Sequence, residues 1–250
     1  MRSLRGLYVP VCLIVLWQGL ALIYGIRSDS LAAPVEIASA LVAAIVSPSL
    51  WLDVRDTVAA ATLGLLVGGM LGFATGISLG LLPPASRLLR LTIEVLRPVP
   101  AIALAPIAIL VFGFGYTMEI AIVAFATFFP MLILTESAVG QIAPRLSEVA
   151  RALNLSTYGY INKIVIPSVI PRVFIALRLA AGLALIVAIT VEIAANPIGL
   201  GNRLIKAGQS LRPADMFATL FLVCLLGWLV NWLFLQIEKF LFPKRGSEAQ

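Results

Sequence analysis

Residues 57–86, TVAAATLGLLVGGMLGFATGISLGLLPPAS, run for thirty positions without an Asp, Glu, Lys or Arg. An α-helix rises about 1.5 Å per residue, so roughly 20 such positions cross the ~30 Å hydrocarbon core of a bilayer. The stretch therefore reads as a membrane-spanning helix. Its glycines, Gly64, Gly68, Gly72, Gly76 and Gly80, recur every fourth residue, with Gly69 beside them. Four residues turn an ideal helix through about 400°, so successive glycines drift by only ~40° and leave a smooth groove for close helix packing. A phosphate-cradling loop is the competing reading, but it requires a following Gly-Lys-Ser/Thr, which is missing here.

The gaps between charges extend this reading along the chain. Residues 6–26, 98–118 and 216–237 also lack acids and bases, 120–135 is a shorter run closed by Glu136, and 173–191 is broken only by Arg178. Spans are expected near 7–24, 58–80, 99–114, 119–136, 173–193 and 216–238. The fold class is then an all-α polytopic membrane protein with about six transmembrane helices in one transmembrane domain over 1–250. Arg2 and Arg5 precede the first stretch as in a secretory leader. Its uncharged run exceeds the ~7–15 residues of a leader core and no small-x-small cleavage site follows closely, so it is expected to remain as a helix.

Composition agrees: 61% of the 250 residues are hydrophobic and 12% charged, against about 25% charged in a soluble domain. Eighteen Lys and Arg against 12 Asp and Glu leave +6. Charges this sparse form no continuous basic face for nucleic acid, but suit cationic cytoplasmic loops. The absence of histidine excludes Ser-His and Cys-His nucleophiles, HExxH zinc sites and histidine relays. With no facing pair of carboxylates evident, neither catalysis nor a metal site is expected in this chain. Cys12 and Cys224 lie in apolar stretches and read as small buried hydrophobes.

With the N-terminus inside, twelve of the Lys and Arg residues fall in cytoplasmic segments, five fall outside, and Arg178 lies within a span. That bias places both termini and residues 137–172 in the cytoplasm. Outside, Pro34 followed by Ile37, Leu41, Ala44 and Ile45 predicts a short amphipathic surface helix. The tail from Pro243 is expected to fray.

Several residues are candidates for a pathway or gate. Arg97-Pro98-Val99-Pro100 and Pro106 remove backbone donors, which a membrane tolerates where other helices or a water-filled cavity satisfy the freed carbonyls. Pro100 and Pro106 are therefore pathway candidates, an ordinary helix kink being the alternative. Arg178 and Glu192 are charges at membrane depth. Arg178 can snorkel to the interface, and Glu192 serves either as an interfacial anchor or as a gate or partner contact. Fourteen residues apart, about 21 Å along a helix, they cannot pair within it.

Residues 141–172 are the longest polar-apolar mixture. Leu146, Val149, Ala150 and Leu153 recur at helical spacing, Asn154 breaks the pattern, Ser156 or Thr157 can N-cap, and Tyr158 to Ile166 runs to Pro167. Two short helices joined by a turn are expected, and a plain tether between spans is the simplest role. However, Glu148-Val149-Ala150, three residues, Asn154, nine residues and Ile164-Val165-Ile166-Pro167 resembles the EAA loop of binding-protein-dependent ABC importer permeases, whose pattern is EAA, three residues, Gly, nine residues, I-x-LP. The resemblance extends from about residue 34 to 240. Arg97-Pro98-Val99-Pro100, Phe112-Gly113-Phe114-Gly115, and Glu192 followed by Gly199-Leu200-Gly201 are similar to the sulfonate, taurine and nitrate permeases.

Val149 replaces a motif alanine, Ile166 replaces the motif leucine and Asn154 replaces the motif glycine. Asn is among the few non-glycine residues that visit positive φ readily. The resemblance implies that the cytoplasmic two-helix loop docks on a separate ATPase through Glu148, Ala150, Asn154, Leu155, Ser156 and Pro167. It also implies that ATP and Mg belong to that ATP-binding subunit, present in two copies, since this chain has no P-loop or other cofactor motif. A second permease copy, an extracytoplasmic solute-binding protein and membrane lipid complete the expected partners. The solute is expected to be a small oxyanion such as a sulfonate or nitrate. Arg203, Lys206 and Arg212, with no acid between Glu192 and Asp215, read as a cationic outer loop that draws anions or meets the binding protein, snorkelling cations being the alternative. A secondary transporter and a non-transporting membrane anchor are the rivals. The first lacks an internal repeat here, and the second has no use for a coupling loop.

Overall fold

The computed structural model describes residues 8–23 and 31–242. The tail from Pro243 and both ends of the first expected span lie outside them. The helices are α1 Tyr8–Ile23, α2 Pro34–Val46, α3 Pro48–Leu81, α4 Pro83–Leu96, α5 Ala105–Phe112 behind a 3₁₀ turn at Ala101–Leu104, and α6 Tyr116–Gly140. They continue with α7 Pro144–Ala152, α8 Thr157–Ala194, α9 Gly199–Gln209 and α10 Pro213–Leu241. Proline opens α2, α3, α4, α7 and α10, where its fixed φ is helical and its missing N–H would have had no partner.

The groove of α3 is filled by α6. Gly64 faces Val123, Gly68 faces Thr127, Gly72 faces Met131, Gly76 faces Thr135 and Gly80 faces Val139, each pair 59 positions apart. A constant offset means that the two helices run parallel in one register. A Cβ on Gly72 would lie 2.8 Å from the Met131 Cβ and 3.0 Å from the Leu132 nitrogen, so only glycine admits this approach. Ala176, Ala180, Ala181, Ala184 and Ala188 of α8 pack on Ala61, Leu65, Val123 and Met131 of that pair. Small residues are what tight packing in lipid requires, because burial there gains van der Waals contact rather than escape from water.

α3, α6, α8 and α10 are long and apolar enough to cross a membrane. The third span, expected as one helix over 99–114, is instead broken. α4 and the segment Ala101–Phe112 meet at 85° across Arg97–Pro100. Twelve residues reach only about 18 Å, too short to cross alone. Pro98 and Pro100 supply no N–H to continue the α4 ladder, which is the physical cause of the break. α4 itself escaped the charge-gap reading because Arg87, Arg90 and Glu94 lie in it. The described part of the first span, α1, is 16 residues long; Trp17 meets Phe217 of α10 edge-on at 6.0 Å. Cys12 and Cys224 are exposed on α1 and α10 rather than buried. In a bilayer an apolar residue gains nothing by facing inward, so the apolar run did not imply burial.

The second short helix expected before Pro167 does not stop there. Thr157–Tyr160 passes through a π segment, Ile161–Val165, into Ile166–Ala194 as one helix, α8. Pro167 falls in the first turn after the π segment, where the change of hydrogen-bond register leaves no donor for it to supply.

Candidate functional site

Two ends of the bundle carry polar chemistry. At one end, α7 leaves the bundle and turns back into α8. Leu155 N–H donates to Ala150 C=O at 3.0 Å and Asn154 N–H donates to Arg151 C=O at 3.0 Å. Asn154 itself has φ 48°. This is a Schellman closure, with Asn154 in the left-handed position that glycine usually fills. Ser156 then caps the next helix by accepting from Gly159 N–H at 3.2 Å. Of the periodic apolar residues of α7, Ala150 is buried, whereas Leu146, Val149 and Leu153 are exposed, as is Tyr158 just beyond the turn. Glu148, Asn154, Ser156 and Pro167 are exposed too, and Leu155 is half-buried. The turn therefore presents Leu146, Val149, Leu153 and Tyr158 outward, ringed by polar groups.

At the opposite end, residues 195–201 are tied down by buried polar groups. Glu119 of α6 and Glu192 of α8 are 0% and 1% exposed, and their carboxyl groups lie against each other. Glu119 Oε2 accepts from Asn196 Nδ2 at 2.6 Å, and Asn196 Oδ1 accepts from Gly115 N–H at 3.0 Å. Glu192 Oε2 accepts from Gly201 N–H at 2.7 Å, and Thr57 Oγ1 of α3 accepts from Leu200 N–H at 2.9 Å. Gly199, at φ 85°, is so close to the Glu192 carboxyl that a Cβ there would overlap it. One connection thus joins α3, α6, α8 and α9.

Residues 64–246 match the family described as "Binding-protein-dependent transport system inner membrane component". The chain belongs to this family of ABC importer permeases. Similar proteins include the aliphatic sulfonates transport permease SsuC of Bacillus subtilis, 28% identical over 98% of this chain and 88% of that protein. SsuC of Escherichia coli is 30% identical over 90% and 85% of the two chains. The nitrate import permease NrtB of Synechococcus elongatus is 33% identical over 74% and 64%. Among solved structures, an alginate ABC importer superposes with TM-score 0.70 at 13% identity over 97% of this chain and all of that one. The inward-facing MetNI methionine transporter does so with TM-score 0.65 at 20% identity over 77% and 97%. These likenesses support the all-α permease fold.

The structure separates the candidate pathway residues of the permease. Arg178 is held by Glu238 of α10 at 2.9 Å, with both side chains about three-quarters buried. It pairs across helices instead of snorkelling. Glu192 belongs to the closed polar cluster. Pro100 ends the break after Arg97, and Pro106 lies in the first turn of α5. The expected cationic loop is largely neutralised, since Arg203 reaches Asp53 of α3 at 3.1 Å and Arg212 reaches Asp215 at 2.6 Å. Asp53 lies 150 residues away in the chain, so the local acid count missed it.

Two features of the permease were missed in its sequence. Glu119 and Glu192 do form a facing carboxylate pair, contrary to expectation, but both are sealed from solvent and so offer no substrate access. The available signal was an acid at the mouth of a span directly after Gly113-Phe114-Gly115. The second is Arg97. It lines both a cavity of about 260 Å³ between α4 and α6 and one of about 270 Å³ between α6 and α8.

Proposed function

We propose that this permease moves a small solute inward, a sulfonate, nitrate or related oxyanion, using ATP and Mg bound by a separate ATPase subunit. The observation that carries the reading is the outward-turned apolar surface of Leu146, Val149 and Leu153 beside the left-handed Asn154, a surface with no occupant among the described residues. Two ATPase copies dock there, two permease copies enclose the pathway, and an extracytoplasmic binding protein delivers solute to the end held by Asn196. Both termini and α7 are cytoplasmic in this reading, in keeping with the charge bias along the sequence. The named substrates of the related SsuC and NrtB permeases support an anionic solute.

The test is reconstitution of the permease with a partner ATPase and binding protein, followed by uptake of radiolabelled alkanesulfonate and nitrate into proteoliposomes. Accumulation that requires ATP on the α7 side and binding protein on the other supports the reading. Uptake driven by an ion gradient without ATP would reject it in favour of a secondary transporter.

A further inference from the structure

Arg97 stands where the third crossing breaks, between the end of α4 and Pro98. The charge count along the sequence puts Arg97 with the cytoplasmic cations, but its cavity neighbours, Ala126 to Glu136 on α6 and Leu183 on α8, place it deeper. Phe129 is 13 residues from Tyr116 and 11 from Gly140, about 20 Å and 17 Å along the helix, which is the middle of the span. The guanidinium is always charged, and lipid does not accept a bare charge at that depth. Arg97 is nonetheless exposed on the single chain. Other arginines nearby are satisfied: Arg90 pairs with Glu94 at 2.9 Å and Arg178 with Glu238 at 2.9 Å. Glu136 lines the same cavity as Arg97, takes a hydrogen bond from Ser86 at 2.5 Å and forms no ion pair among the described residues. Among the described residues Arg97 has no ion-pair partner. Irregular backbone at membrane depth, such as Arg97–Pro100, is tolerated where it borders a water-filled cavity, and two cavities adjoin at this residue.

The two cavities differ in chemistry. One is walled by Ser86, Arg90, Glu94 and Glu136, the other by Phe129, Pro130, Leu134 and Leu183. We propose that Arg97 is an anion-binding residue at the midpoint of the permeation pathway, and that the anion it takes is a small organic one. The planar guanidinium donates two parallel hydrogen bonds to a sulfonate, phosphonate or carboxylate head. The short alkyl part then lies against Phe129, Pro130, Leu134 and Leu183. The proposal rests on the permease reading and adds to it the residue and the ligand class. An anion with an apolar tail meets Arg97 at its head and the apolar wall along its tail, whereas bare nitrate meets only Arg97.

The test needs neither ATP nor binding protein, so its failure is distinct from failure of the importer reading. The full chain carries Cys12→Ser, Cys224→Ser and Leu134→Cys, with Arg97 intact, in lipid nanodiscs open on both faces. The rate of modification by a water-soluble maleimide is followed with butanesulfonate, nitrate or 1-butanol present. Butanesulfonate at about four times its Kd is expected to slow labelling about fivefold, as simple occupancy predicts. Nitrate should protect only at higher concentration and 1-butanol not at all. Adding Arg97→Gln should abolish the protection, and Arg97→Lys should keep part of it. Three outcomes overturn the proposal: no labelling of the reporter, which would put this face against lipid or protein, no protection by butanesulfonate, or undiminished protection with Arg97→Gln. Nitrate protecting as well as butanesulfonate would overturn the assignment to organic anions.

Discussion

Glu192 accepts a hydrogen bond from Gly201 N–H at 2.7 Å while its carboxyl occupies the space where a side chain on Gly199 would begin. A single buried acid thereby fixes a turn that starts at the end of its own helix. Gly199→Ala should destabilise the permease on two counts, since positive φ costs an alanine about 1–2 kcal/mol and the added methyl displaces the carboxyl. Glu192→Ala leaves the Gly201 N–H buried and unpaired, at about 1–3 kcal/mol. Both variants should unfold at lower temperature in detergent, whereas Gly182→Ala, with open space at its Cβ position, should not. An unchanged unfolding temperature in Gly199→Ala would show that the turn is free to move.

The parallel packing of α3 on α6 predicts a graded series. Gly72→Ala overlaps the Phe128 carbonyl and the Met131 side chain, and should cost about 1–3 kcal/mol, as overpacking does. Gly72→Leu should lower the yield of folded protein further, measured by size-exclusion chromatography. Wild-type yield for the leucine variant would mean that the two helices do not approach as closely as described.

The Arg178–Glu238 pair joins α8 to α10 with each side chain little exposed. Removing one partner strands the other, so the double replacement should destabilise less than the sum of Arg178→Gln and Glu238→Gln. A coupling on the order of 1 kcal/mol is expected from a double-mutant cycle of thermal unfolding. Strict additivity would show that the pair contributes nothing.

Each pattern in the sequence reaches only as far as the element that contains it. The four-residue recurrence of glycine marks the smooth face of α3, because that period belongs to one helix. It contains nothing about which helix lies on that face, and the 59-residue offset to α6 is a property of the assembled bundle. Asn154 stood out because it replaces a glycine in a spaced motif, and its φ of 48° supplies the physical reason. The polar cluster did not stand out, since Gly115 and Asn196 meet across 81 positions. The broken crossing left a mark in Pro98 and Pro100, but the charges of α4 hid the half of the span that precedes them. In a soluble protein such charges mark a surface loop, whereas here they line cavities.

In the proposed function, α7 and its left-handed turn pass ATPase closure to the spans. Binding-protein-stimulated ATP hydrolysis by the reconstituted complex tests it most directly, with Asn154→Gly and Asn154→Val compared and co-purification of the ATPase measured in parallel. Glycine adopts φ near 48° without strain, so Asn154→Gly should retain stimulation. Valine there costs about 1–2 kcal/mol, a factor of about 5–30 in the population of the competent turn, so Asn154→Val should lose most of it while still reaching the membrane. Full stimulation in the valine variant, or none in the glycine variant, would contradict the account.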